Sequence, residues 1–180
     1  FQGSVGEGHG LENVSRLLDR EIQGREIQLV IKGWIRDENF KKKLTSIATA
    51  IGREDGLHFI PFGPYKDLPS VTRACHIGIG IHSLNTDLHT TLAKASNKLY
   101  EYAALGLPII VYDSLHYREH LKKYEWVFFA SDDLLSLQKC IAAIIGDYDR
   151  LSRSAHASFL EEFNFESKFQ PVVDFLMLKK

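Results

Sequence analysis

In "ASNKLYEYAALGLPIIVYD", residues 95–113, a lysine and a glutamate three apart, Lys98 and Glu101, directly follow two helix-capping residue types, Ser96 and Asn97. Residues three apart share a helix face. Asn97 can cap a helix running from Lys98 to Leu105, Gly106 suits the left-handed position beyond its end, and Pro108 prevents continuation. The amino end of a helix exposes backbone N–H groups and a partial positive charge, which together hold a phosphate or diphosphate. Lys98 adds a full charge there. A carboxylate one turn in, at Glu101, can accept two hydrogen bonds from the vicinal hydroxyls of a ribose, so one helix could hold both parts of a nucleotide. The same two residues also fit an ordinary solvent-facing pair contributing about 0.3–0.5 kcal/mol, and residue chemistry alone leaves both readings open.

Other residues with chemical potential are less suggestive. His116 and His120 are four apart and would share a helix face as half of a metal site, but no third ligand stands out, so they read as a solvated face. His82 and His89 flank the loop "SLNTDLHTTLAKAS", where hydrogen-bonding filler is the simpler reading. Cys75 and Cys140 lie far apart and outside any C-x-x-C spacing, which fits two reduced, buried thiols in a cytosolic protein.

Short runs rich in Ile, Val and Phe alternate with amphipathic stretches, the pattern of strands and crossover helices around a parallel sheet. Strands are expected at 1–5, 27–33, 57–62, 76–82, 108–113 and 126–130. "LENVSRLLDREIQ" places Leu11, Val14, Leu17 and Leu18 on one helical stripe, and "ENFKKKLTSIATAIG" does so with Phe40, Leu44, Ile47, Ala48 and Ile51 before a Gly52 stop. "SDDLLSLQKCIAAIIG" opens on a Ser131 cap, presents Leu134, Leu137, Ile141 and Ile144, and ends at Gly146. Beyond residue 147 strand signals stop, and two closing helices, joined at 164–166, fill about 148–180. The expected fold is α/β: an open, Rossmann-like parallel sheet of about six strands with helices on both faces, forming a single domain over 1–180.

The chain has 180 residues, 44% hydrophobic and 25% charged, a globular balance long enough to bury about 70% of its unfolded surface without a disulfide or metal. Its 22 basic and 23 acidic residues leave a net charge of -1, so no overall field favours a nucleic-acid backbone. No apolar run approaches the ~18 residues of a membrane span, so we expect a soluble, cytoplasmic domain. The lysine run "NFKKKL" leaves room for peripheral contact with anionic lipid at the inner face of the membrane. The opening "FQGS" reads either as native sequence or as the remnant of a tag-protease site, and we expect the chain to be a piece of a longer protein.

"NKLYEYAALGLPIIVYD" resembles the K-x-x-E-Y-x-A-x-G-x-P-V-I segment in the C-terminal, nucleotide-sugar-binding domain of GT-B glycosyltransferases of the group-1, family-four-like branch. "FQGSVGEGHGLENVSRLL" resembles that domain's first strand and Gly-rich turn, "IQLVIKG" its second strand, and "LHFIPFGPYKDLPSVTRACHIGIGIHS" the segment running to a Pro-Ser turn. The resemblance covers nearly the whole chain. It implies that Glu101 binds the ribose, and that Ser96, Asn97 and Lys98 approach the diphosphate. Gly3 and Gly33 would let backbone come close to the ligand, Phe62, Gly63 and Pro64 would lie against the nucleobase, and Ser83 would stand at the Pro-Ser turn, with His82 replacing the proline.

There are departures. Ser4 and His9 stand where the family commonly has an arginine and a lysine on the phosphates, and Ala93 stands where many members have an earlier glutamate near the transferred sugar. Lys94 and Lys98 could replace some of the lost charge. The implied activity is transfer from a nucleotide diphosphate sugar, such as a UDP- or GDP-sugar, to a glycan, lipid or protein acceptor in polysaccharide or lipopolysaccharide assembly. No metal or other cofactor is expected. The acceptor would bind an N-terminal domain absent from this chain, to which the last helix crosses back, leaving some tail aromatics exposed. Two alternatives share the design: a nucleotide-sugar 2-epimerase half, and a non-catalytic Rossmann-like partner module.

Overall fold

The computed structural model describes residues 1–82 and 96–178. In chain order the elements are β1 (Gln2–Val5), α1 (Leu11–Ser15), β2 (Glu21–Ile22), β3 (Arg25–Glu26), β4 (Leu29–Ile35), α2 (Glu38–Ala50), β5 (Leu57–Pro61) and α3 (Leu68–Arg73). There follow β6 (Gly78–Gly80), α4 (Asn97–Ala104), β7 (Ile109–Tyr112), α5 (Leu115–Leu121), β8 (Val127–Ala130), α6 (Leu134–Gly146), α7 (Tyr148–Ser158) and α8 (Phe165–Met177).

Six of the strands are parallel, as the alternating pattern predicts, and they divide into two sheets, β1-β4-β5 and β6-β7-β8. At the inner end of β1, the N–H of Gln2 is taken by the Tyr102 hydroxyl at 3.0 Å, so α4 rather than a strand meets this edge. The Tyr102 ring also lies against Gly78, where a Cβ would come within 2.3 Å of it. One aromatic side chain thus ties the two sheets together at α4. Helices flank the sheets, and the core includes Leu11, Leu17, Leu18, Ile31, Phe40, Leu44, Ile109, Ile110, Tyr117 and Trp126.

Three local expectations change. The helix expected over residues 11–23 ends at Ser15, and residues 21–26 form a two-stranded antiparallel hairpin. Its turn residues Gln23 and Gly24 both have positive φ, 53° and 73°, the geometry that closes a two-residue hairpin with the right twist. Leu17 and Leu18 are buried all the same, so the apolar stripe was real although the helix beneath it was not. At α6 the cap is Asp133 rather than Ser131: its carboxylate accepts from the Ser136 N–H at 2.8 Å, while the Ser136 hydroxyl accepts from the Ser131 N–H. At α4 the helix begins one residue early, with Ser96 in the cap position instead of Asn97.

The tail runs through a π-helical turn, Phe159–Phe163, before Asn164 caps α8 by accepting from the Ser167 N–H at 2.7 Å. Phe163 holds this turn to the body, its ring 4.9 Å from Tyr124 and 5.2 Å from Tyr100. Beyond it α8 buries nothing, and Phe165, Phe169, Val172, Phe175 and Leu176 are exposed. Cys75 is half-buried and Cys140 buried, both free thiols.

Candidate functional site

The carboxyl edge of the β1-β4-β5 sheet carries two glycines side by side. Gly3 and Gly33 are register partners, and a Cβ on Gly33 would lie 1.9 Å from the Gly3 carbonyl oxygen. With φ at 151°, Gly33 holds a conformation that other residues rarely adopt, and the two strands close up only because neither carries a side chain here. Above this edge stands the start of α4. Asp37, Ser114, Asp133 and Asn164 each cap their own helices through a side chain, but Ser96, in extended backbone conformation, makes no such bond. In the first turn of α4 the Leu99 N–H bonds the Ser96 carbonyl at 3.1 Å, and among the described residues no side chain caps the N–H groups of Asn97 and Lys98 before it.

A cavity of about 340 Å³ opens between these parts. Nine of the residues singled out from the sequence line it: Gly3, Gly33, Phe62, Gly63, Pro64, Ser96, Asn97, Lys98 and Glu101. Gln2, Lys32, Tyr65 and Leu68 complete the wall, and none of the four was singled out. Ser4 is exposed on β1 outside the cavity lining, and His9 lies in the following turn, its ring 5.0 Å from Phe1 and 4.8 Å from His82. Ser83, His89, Ala93 and Lys94 lie outside the described residues.

Glu101 is held from two sides. Tyr65 donates its hydroxyl to Oε1 at 2.8 Å, and the Gln2 amide nitrogen donates to Oε2. Gln2 is fixed in turn, its Oε1 accepting from the Thr72 hydroxyl at 2.7 Å. The carboxylate is thus not the free surface group that helical spacing suggests; it ends a chain of hydrogen bonds linking α3, β1 and α4. Its hold on the Tyr65 proton is the main reason the phenol is pushed above its ordinary pKa.

Lys98 lies over the Phe1 ring, Nζ 4.0 Å from its centroid, and reaches within 3.8 Å of the point where a Gly3 side chain would begin. Burial lowers its pKa to about 8, and the Glu101 carboxylate opposes that shift. An ammonium so placed is poorly hydrated, and an anion arriving beside it recovers interactions that water no longer supplies. Lys32, only 8% exposed, donates from Nζ to the Pro61 carbonyl at 3.4 Å. The exposed rings of Phe62 and Tyr65 form the rim.

Elsewhere, α5 brings His116, Glu119 and His120 together, with ligand atoms within 4.8 Å of one another. Spacing had suggested only the two histidines; Glu119 is the third donor. In the lysine run of α2, Lys43 pairs with Glu12 at 3.1 Å and Glu7 at 3.5 Å, and Lys41 lies over the Phe59 ring. Among the described residues, no helix is long and apolar enough to cross a membrane.

Solved structures with the same fold include glycosyltransferases, a sucrose-phosphate synthase and a UDP-glucose complex. Anabaena Alr3699/HepE in complex with UDP-glucose superposes with a TM-score of 0.72 at 16% identity, over 98% of this chain and 48% of that one. Sucrose-phosphate synthase from Thermosynechococcus elongatus gives 0.68 at 14%, over 99% and 46%. WaaG, a glycosyltransferase involved in lipopolysaccharide biosynthesis, gives 0.64 at 14%, over 94% and 45%. At these identities the likeness is one of fold, and the chain spans just under half the length of each. No curated protein matches the chain in sequence. The family described as "Glycosyl transferases group 1", however, matches residues 3–158, and the chain belongs to that family.

Proposed function

We propose that this chain is the donor-binding domain of a glycosyltransferase, which moves a sugar from a nucleotide diphosphate sugar to a glycan, lipid or protein acceptor. One observation carries the reading: a helix start with Lys98 and, among the described residues, no side-chain cap, and a glutamate one turn in, share a single cavity with a pair of side-chain-free strand ends. The α4 N–H groups and Lys98 take the diphosphate and stabilise the charge that develops on it as the sugar leaves. Glu101 accepts the ribose hydroxyls, and Phe62, Gly63 and Pro64 lie against the base. Protein donors carry the leaving-group charge in this reading, which calls for no metal or other cofactor. Ser83 belongs to the same proposed site by resemblance.

The acceptor belongs to an N-terminal domain outside these 180 residues, which would also cover the exposed apolar side chains of α8. HepE as a UDP-glucose complex and WaaG as a lipopolysaccharide enzyme favour a hexose donor and an envelope polysaccharide or lipopolysaccharide product. Work on such acceptors would place the protein in the cytoplasm, at the inner face of the membrane for lipid-linked ones. The departures at Ser4 and His9, neither of which lines the cavity, favour a second reading as a non-catalytic partner module.

Calorimetric titration of the full-length protein with UDP, GDP and their sugars decides between the two, since the module binds none of them. Glu101→Ala is expected to weaken nucleotide affinity by more than about tenfold, roughly 1.4 kcal/mol. It also strips Gln2 of its acceptor, so a stability loss of about 1 kcal/mol should accompany it. Unchanged affinity with a large fall in melting temperature would make Glu101 a packing residue.

A further inference from the structure

We propose that Lys32 reads the nucleobase, selecting one that presents a ring carbonyl oxygen, such as uracil or guanine, over adenine, which presents none. The inference deepens the donor-site reading above and rests on it. Parallel register aligns Lys32 with Gln2 on one side and Ile60 on the other, so its side chain leaves the sheet on the face where Gln2 meets Glu101. It is more than nine-tenths buried and lines the cavity. Among the described residues its one hydrogen bond, to the Pro61 carbonyl, is long at 3.4 Å, and no carboxylate pairs with it. A buried ammonium has three donors and no acceptor, and leaving them unmet is costly. An acceptor oxygen entering the cavity relieves that cost, whereas an amino group does not.

Placement decides which part of the ligand supplies the oxygen. Lys98 stands over Gly3 on β1, while the Lys32 ammonium reaches Pro61 on β5, two strands away across an edge spaced about 5 Å per strand. Pro61 leads directly into Phe62, Gly63 and Pro64. The diphosphate end is therefore served by Lys98 and α4, and Lys32 lies toward the base.

The test is titration of the full-length protein and its Lys32→Met variant with UDP, GDP, CDP and ADP, with melting temperatures measured alongside. The wild type is expected to bind at least one of UDP, GDP and CDP, whose bases all bear a ring carbonyl, at least about tenfold more tightly than ADP, and Lys32→Met to shrink that ratio below about threefold by weakening the carbonyl-bearing base alone. If Lys32→Met does not fold, Lys32→Gln, whose amide can donate to a ring carbonyl and accept from an amino group alike, carries the same comparison. Equal weakening of all four nucleotides would assign Lys32 to the phosphates and overturn the proposal, as would an unchanged ratio or a wild type that prefers ADP. Those results leave the donor-site reading standing; failure of every nucleotide to bind the wild type sinks both.

Discussion

In the β6-β7-β8 sheet the central strand buries Ile109, Ile110 and Val111 completely, whereas the central strand of β1-β4-β5 carries Lys32, Gly33 and an exposed Trp34 in succession. Both are middle strands of parallel sheets, where a continuous apolar run is the rule. The first obeys it and the second does not. α4 packs on β6 and β7 and against α7 and the π-helical turn, so the apolar sheet forms part of its mount and the irregular one supplies the wall that a ligand meets. A strand that gives up apolar side chains at its carboxyl edge gives up packing energy there, which is expected where backbone must approach a ligand. The difference between the sheets is a division between holding and binding.

The comparison breaks most sharply at Gly33. Gly33→Ala puts a Cβ into the Gly3 carbonyl and strains φ, so it should cost about 4 kcal/mol or more and abolish nucleotide binding with it. Ile110→Ala, in the mounting sheet, should cost about 3 kcal/mol through the cavity it leaves, while the folded protein keeps its nucleotide affinity within about twofold. Urea unfolding paired with calorimetry reads both. Equal loss of affinity in the two variants would mean that the sheets do not divide the work.

Lys98 sharpens the electrostatic half of the comparison. Its pKa is lowered to about 8, so in the free protein it loses its proton as pH rises through that value, and a bound diphosphate opposes the loss. Nucleotide affinity should therefore fall by about tenfold between roughly pH 7 and 9.5, with proton uptake on binding in that window. Stability has the opposite sign. Between about 8 and the ordinary lysine value the unfolded chain binds a proton that the folded one has released, so this group makes the fold more stable as pH rises. Lys98→Met should flatten both dependences, and a pH-independent affinity in the wild type would remove Lys98 from the site.

Much of this was legible in the residues. The six parallel strands, Gly106 beyond α4 at φ 72°, and nine of the cavity-lining residues follow from period, punctuation and family resemblance. What was hidden shares a physical cause. A lysine within "IQLVIKG" reads as a solvent-facing strand position, and only the register showing which face it leaves from makes Lys32 a cavity residue. Gln2 and Tyr65 lie 99 and 36 positions from Glu101, and no local pattern announces such contacts. The hairpin at 21–26 was masked because "EIQGRE" extends a helical stripe as well as it forms a tight turn. Ser4 and His9 entered by resemblance, and their side chains stand apart from the cavity lining.

The smallest expected effect tests whether the site is held ready or held shut. Each oxygen of Glu101 already accepts from one of the protein's own donors, so a ribose must either share the carboxylate's remaining lone pairs with them or displace one of them. Gln2 is buried and anchored by Thr72, whereas the Tyr65 side chain is 72% exposed, so the Tyr65 bond is the one that yields. An exposed hydrogen bond of this kind is worth about 0.5–1 kcal/mol. Tyr65→Phe keeps the ring and removes the competitor, and should raise nucleotide affinity about two- to fourfold while lowering the melting temperature by no more than about 4 °C. A fall of the same size would show instead that the hydroxyl moves onto the ligand, making Tyr65 part of the binding wall rather than a latch upon it.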